Sequence, residues 1–346
     1  MKNKKVVILF SRLSDYMLNM FETWVKQDNI SLSIFKKSPD KNEAPFEFNL
    51  NEKNITFYDQ DELDKNQIIG LVSSIDPDLI ICSGWSNAKY NAVIAKNHKN
   101  KTCVLTMDNQ WEGSLKQYVG LVYIRLFIVP KFKKIWVPGI PQKKYAIKLG
   151  FKKENIILGW YVANENSFKK TREKIVHEFV FVGRYLSFKG VRELWNAFVK
   201  LKENVPNDWT LTCIGTGSLF EERKIHPKIK HIGFLQPKEL HLYVERGGVF
   251  VLPSHFEPWG VVVHEFALSG YPLIVSDKVG AASEFVKIDN GIVFEAKNED
   301  SLYNAMKKMV EFSDHELLNM SKASNLYSET VSSKKWIKNM NNLLVK

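Results

Sequence analysis

VFVLPSHFEPWGVVVHEFALSGYPLIVSDKVGAASEFV, residues 249–286, reads as strand, loop, helix, tight turn, strand and loop. Val249 to Leu252 is a short apolar, β-rich run, ended by Pro253 and Ser254. A buried strand whose carboxyl end opens into a loop is where parallel α/β sheets hold ligands. Gly260 lets backbone come close to a ligand, and the helix after it would aim unsatisfied N–H groups at an anion such as phosphate. Gly270 and Pro272 supply the helix stop, and Leu273 to Ser276 the next strand. Val261, Val262 and Val263 are β-branched and locally favour strand, but the stop signal and the strand beyond it predict a helix. Two glutamates, Glu257 and Glu265, stand eight residues apart here, with Pro258, Trp259 and Gly260 just after the first.

The same alternation extends in both directions. Upstream, His177 to Val182, Trp209 to Ile214 and Ile229 to Ile232 read as strands, and Val191 to Leu201 and Glu239 to Glu245 as helices. Val191, Leu194, Trp195 and Phe198 fall on one helical face. The polar, turn-rich end of Leu158 to Thr171 resembles a domain junction. Before it, Lys5 to Phe10, Ile55 to Tyr58, Leu79 to Cys82, Thr102 to Met107 and Ile135 to Val137 read as strands. Ser14 to Lys26, Glu62 to Ser74 and Ala88 to Lys96 read as helices or polar connections between them. The chain ends in helical stretches at Ser301 to Phe312 and about Ser333 to Leu344. Strands alternating with helices predict an α/β fold of two Rossmann-like parallel-sheet domains, residues 1–160 and 161–330.

A chain of 346 residues is long enough for two ordinary domains. With 45% hydrophobic and 25% charged residues it has the composition of a globular protein. No run approaches the ~18 apolar residues of a membrane span, and Met1 to Lys5 leads straight into strand-like residues, so the cytoplasm is expected. Cys82, Cys103 and Cys213 each fall in or at the end of an apolar run; an odd count without CxxC spacing points to reduced core thiols. The net charge of +11 favours anionic partners, and no recognition motif accompanies it, so nucleic acid is not expected. Gly113 to Ile128 is mostly apolar, and Lys131, Lys133 and Lys134 follow it, then Lys143, Lys144, Lys148, Lys152 and Lys153. These lysines are either a solvated surface or a basic, partly apolar face resting on the inner side of an anionic membrane, each cation adding roughly 1 kcal/mol.

Several loops after predicted strands carry chemistry. In GRYLSFKG, Gly183 and Arg184 follow one strand, and Lys189 and Gly190 precede the next helix; the two cations are spaced to grip one diphosphate. Gly215, Thr216 and Gly217 form a Gly-rich turn, and Gly233, Phe234 and Leu235 another loop; both are weak signals alone. In the first half, Ser11, Arg12 and Leu13 end the first strand. Ser83 to Ser86 includes Trp85, and Asp108 to Trp111 sets polar groups beside a second tryptophan, a combination suited to a sugar. GxGxxG after the first strand, GxxxxGK[ST], HExxH after His264 and GxSxG are all missing, which disfavours a nicotinamide enzyme, a P-loop, a zinc protease and an α/β-hydrolase. Asp59 and Asp61 form a DxD triplet that could chelate a divalent ion, but Asp61 is read as a helix N-cap.

From Phe179 to Glu311 the chain resembles the donor-binding domain of family 4 glycosyltransferases, which have the two-domain GT-B fold. The resemblance rests on FVGRYLSFKG, LTCIGTGS, HIGF and PSHFEPWGVVVHEFALSGYPLI, and the Glu257 to Glu265 spacing is similar to the E-x7-E signature of retaining members. It implies two domains facing across a cleft, an acceptor-side first domain joined by the last helix (331–346), and a second domain binding a nucleotide-diphosphate sugar. Arg184 and Lys189 would neutralise the diphosphate, Glu265 would hold the ribose, and Glu257 would face the sugar. Gly183, Gly215, Trp259, Gly260, Val261 and Val262 would complete the donor site, with Phe234 and Leu235 beside the base. Arg12, Trp85 and Trp111 would lie on the acceptor side, and Asp108, where relatives often have a histidine, would join Glu257, Arg184 and Lys189 as a catalytic residue that positions the sugar or acceptor. The implied reaction is sugar transfer with retention to a hydroxyl of a glycan or lipid-linked acceptor, in cell-surface polysaccharide synthesis, with neither cofactor nor metal. The alternatives are a nucleotide-sugar 2-epimerase of the same fold or an inactive nucleotide-sugar-binding subunit.

Overall fold

A computed structural model describes residues 3–38 and 52–345; residues 1–2, 39–51 and 346 lie outside it. The chain forms two compact units, residues 1–162 with 333–346, and residues 163–332.

The first unit has seven strands: β1 (Lys4–Leu9), β2 (Ile30–Lys36), β3 (Ile55–Asp59), β4 (Leu79–Ser83), β5 (Thr102–Thr106), β6 (Lys134–Val137) and β7 (Ile156–Leu158). They pair in the order β3-β2-β1-β4-β5-β6-β7, every pair parallel. Val6 to Leu9 and Leu79 to Cys82 are fully buried, as central strands covered on both faces must be. Helix Asp15–Gln27 buries Met17, Met20, Phe21 and Trp24 along one stripe. Helix Ser333–Leu344 belongs to this unit, although the second unit precedes it in the chain. Its Trp336 packs against Phe21, Trp24, Trp136 and Trp160, and the indole N–H donates to the Trp160 carbonyl at 3.0 Å.

The second unit has β8 (Glu178–Val182), β9 (Thr210–Ile214), β10 (Ile229–Ile232), β11 (Val249–Leu252), β12 (Leu273–Ser276) and β13 (Gly291–Phe294). They pair as β10-β9-β8-β11-β12-β13, again all parallel. The three valines do enter a helix, Val261–Leu268, because Val263 and Phe266 are buried on one side and Phe266 stacks on Phe250 of β11 at 4.0 Å. Tertiary packing thus outweighs their local preference.

Some expectations need correction. Asp61 is no helix cap: helix Lys65–Ile75 begins after Asp64, which makes a capping box with Gln67. Asp59 instead accepts from the Ser38 hydroxyl and the Asp61 N–H, so the DxD triplet closes a turn. Among the described residues no three His, Cys, Asp or Glu side chains gather as a metal site. β2, β7 and β13 were not anticipated; β7 is a three-residue edge strand only half-buried, and β13 starts at a glycine, so neither carries much hydrophobic signal.

Candidate functional site

In an all-parallel sheet the loops leaving the strands' carboxyl ends emerge on one edge. In the second unit the strand order reverses between β8 and β11, so the loop after β8 and the loop after β11 part at that point and leave a crevice. The sequence puts GRYLSFKG and PSHFEPWG there. The His255 N–H donates to the Phe188 carbonyl at 2.8 Å, and the His255 imidazole meets Glu193 at 2.8 Å. Gly190 adopts φ +66°, and a Cβ on it would stand 2.1 Å from the Pro253 carbonyl oxygen, so only glycine lets the loops approach this closely.

Between the two loops the Lys189 ammonium pairs with the Glu257 carboxylate; their side chains are only 14% and 18% exposed. The Ser254 hydroxyl lies 3.5 Å from the same carboxylate. Partial burial makes such a pair stronger than a surface pair, and it stands with a cation and an anion poised over the crevice. Glu257 is fixed from behind by the loop after β12. Its N–H donates to the Lys278 carbonyl, and its carbonyl accepts from Gly280. Gly260, at φ +89°, lies beneath it, since a Cβ there would come 3.0 Å from Glu257 Cγ.

The other residues expected at a donor site follow the same edge. Arg184 is exposed in the loop after β8. Gly183 donates to the Ile214 carbonyl, and Gly215 donates to the carbonyls of Ile232 and Gly233, which chains the loops after β8, β9 and β10 together. Phe234 and Leu235 lie in the last of these, half-buried at the sheet's end. Val261, Val262 and Glu265 occupy the start and second turn of the helix after β11. Trp259 is different: its side chain is 2% exposed and packs against Phe285 at 6.1 Å, so this residue faces the edge with backbone only.

In the sequence His264 stands out only as the start of an incomplete zinc motif. The structure makes it a buried anchor beside Glu265. Its Nδ1 accepts from the Ala163 N–H at 3.2 Å, which leaves the proton on Nε2 to donate to the Ser328 carbonyl at 3.0 Å. The ring stacks on Phe285 at 4.4 Å, and burial pushes its pKa down from 6.5 to about 4. His255 was missed as well. An imidazole in a polar loop has no periodicity to mark it as a strut.

In the first unit the order reverses between β1 and β4, and Arg12 and Trp85 lie in the two loops that part there. Arg12 is exposed, whereas Trp85 is half-buried against the core. Asp108, after β5, accepts from the Tyr161 hydroxyl at 3.1 Å, and its carbonyl accepts from Gln142 at 3.0 Å. Burial, and then the Asp108 charge, hold the Tyr161 phenol well above its ordinary pKa, so it remains a proton donor to that carboxylate. Trp111 packs on Tyr118 and Tyr145, with the Lys148 ammonium 5.1 Å over its ring. The three cysteines are buried, and burial raises each thiol pKa, which leaves them inert core groups.

Residues 163–325, nearly all of the second unit, match the family model described as Glycosyl transferases group 1. Among curated proteins, the glycogen synthase of Mycobacterium tuberculosis is 29% identical over 141 residues, 39% of this chain and 34% of that protein. An uncharacterized glycosyltransferase of Methanocaldococcus jannaschii is 31% identical over 131 residues, 36% of this chain and 33% of that protein. The chain thus matches about a third of the length of these relatives. Solved GT-B glycosyltransferases align over nearly the whole chain. A Rickettsia africae glycosyltransferase gives a TM-score of 0.78 at 13% identity, covering 99% of this chain and 98% of its own. Anabaena HepE, in complex with UDP and glucose, gives 0.70 at 14% identity, covering 99% of each. The lipopolysaccharide outer core galactosyltransferase WaaB gives 0.72 at 16% identity, covering 98% of this chain and 99% of its own. At these identities the likeness is one of fold.

Proposed function

We propose that this chain is a retaining glycosyltransferase of the family 4 type, moving a sugar from a nucleotide-diphosphate sugar to a hydroxyl of a glycan or lipid-linked acceptor in cell-surface polysaccharide synthesis. The observation that carries the proposal is the Lys189–Glu257 pair at the β8/β11 reversal of a unit that matches the model for glycosyl transferases group 1. As the glycosidic bond stretches, negative charge grows on the diphosphate. Arg184, Lys189 and the N-terminus of helix Val261–Leu268 would stabilise that charge where it develops. Glu257 would orient the sugar and favour positive charge at its anomeric carbon, while Glu265 would hold the ribose. The acceptor's proton would pass to the leaving phosphate. Asp108 would position the sugar or the acceptor for the reaction, and Arg12, Trp85 and Trp111 would serve the acceptor side.

The test is a panel of nucleotide sugars incubated with glycan and lipid-linked acceptors, with product anomers read by NMR. Transfer with retention, lost in Glu257→Gln and Glu265→Ala, supports the reading. Unchanged transfer in those variants refutes the residue roles. An epimer formed from the donor without acceptor replaces transfer with isomerisation, and binding without turnover leaves only a nucleotide-sugar-binding subunit.

A further inference from the structure

Residues 115–128 present an apolar surface to solvent. Helix Leu115–Tyr123 runs into a π-helical turn, Ile124–Ile128, forming one element of fourteen residues. Ile124 and Ile128 are buried in the first unit's core, with Leu121 packed beside them. The opposite side is also apolar. Leu115 is 84% exposed, Val119 78%, Val122 64% and Leu126 61%, with Tyr118, Tyr123 and Phe127 each more than half exposed. At 100° per residue, positions 115, 119, 122 and 126 fall in one narrow outward stripe. Isolated exposed apolar residues are ordinary, but a continuous stripe marks an interaction surface.

The charge around the stripe indicates what covers it. From Glu112 to Glu154 the intervening residues include ten lysines or arginines and no acidic residue. Lys116 and Arg125 lie on the element itself, and Lys148 is tied to it through Trp111, which packs on Tyr118. An outward apolar stripe with amphipathic aromatics, flanked along residues 113–153 by lysines and arginines and no acid, has the chemistry of a helix lying in the plane of an anionic bilayer. No helix among the described residues is long and apolar enough to cross one. We infer that residues 115–128 dock the first unit on anionic lipid, with Val119, Val122 and Leu126 entering the acyl boundary and Lys116 and Arg125 at the headgroups. The cluster Lys131, Lys133 and Lys134 adds charge beside it. This docking stands apart from the sugar-transfer reading, and it would bring a lipid-linked acceptor to the chain.

The test is co-sedimentation of the full chain with vesicles of phosphatidylcholine alone or mixed with phosphatidylglycerol, which needs no turnover. The wild type is expected to bind the mixed vesicles and to favour them over phosphatidylcholine. The triple variant Val119→Gln, Val122→Gln, Leu126→Gln should bind roughly tenfold or more weakly, from the apolar area it withdraws. Val122→Trp, which keeps the stripe apolar, should bind more tightly, since tryptophan favours the bilayer interface. Equal binding by wild type and triple variant, or no response to Val122→Trp, overturns the inference. So does a wild-type dimer by light scattering that the triple variant lacks while both bind vesicles equally, because a second copy would then cover the stripe.

Discussion

His264 should make the second unit acid-sensitive through one buried group. Its pKa is pushed from 6.5 down to about 4 by burial, so below pH 6.5 the unfolded chain binds a proton that the folded chain refuses. Stability from this group is fully present above the unfolded pKa and falls as pH drops, until the folded imidazole also protonates near 4. The shift corresponds to about 3 kcal/mol in all, of which about 2 kcal/mol is lost by pH 5. His264→Phe removes the titration and keeps a ring to stack on Phe285. It also strands the buried Ala163 N–H and Ser328 carbonyl, at about 2 to 4 kcal/mol. The variant should therefore be less stable at pH 7, with the gap to wild type closing by about 2 kcal/mol at pH 5. Hydrogen exchange at the β11 amides, corrected for the intrinsic chemical rate, reads the opening free energy of this unit. A gap that stays constant from pH 7 to pH 5, or a folded-state imidazole titrating near its ordinary value, refutes the reasoning.

Two further outcomes follow from packing. Gly190→Ala combines a left-handed backbone, about 1 to 2 kcal/mol for a residue with a Cβ, with a contact of 2.1 Å to the Pro253 carbonyl. The melting temperature should fall, and nucleotide binding should weaken even where the protein stays folded, because the β8 and β11 loops are forced apart. Trp336→Ala should cost about 3 to 5 kcal/mol in the first unit, measured by urea denaturation, by emptying the centre of the tryptophan cluster.

The repeated strand-helix pattern made both parallel sheets legible in the sequence, and the Val249–Val286 segment placed its strand, helix and stop within a residue or two. Loop glycines and charges marked the candidate site's edge of the second sheet too, since residues that follow parallel strands must share one edge. What could not be read was partnership. Nothing in the spacing of Lys189 and Glu257, 68 residues apart, announces that they meet. His264 looked like half of a metal motif because burial depends on what the fold brings over it. Trp259, within a functional-looking loop, turns inward for the same reason. The helix at 115–128 read as apolar, and only the structure distinguishes its buried side from its exposed one.

The central claim is that the edge at the β8/β11 reversal holds a nucleotide diphosphate. Calorimetric titration of wild type, Arg184→Ala and the distant control Arg246→Ala with a panel of nucleoside diphosphates tests it most directly. One of them should bind the wild type. Arg184→Ala should lose a charge-assisted contact of about 1.5 to 3 kcal/mol, roughly tenfold or more in affinity, while Arg246→Ala binds as wild type does. Binding by Arg184→Ala at wild-type affinity, or no binding of any nucleoside diphosphate by the wild type, would contradict it.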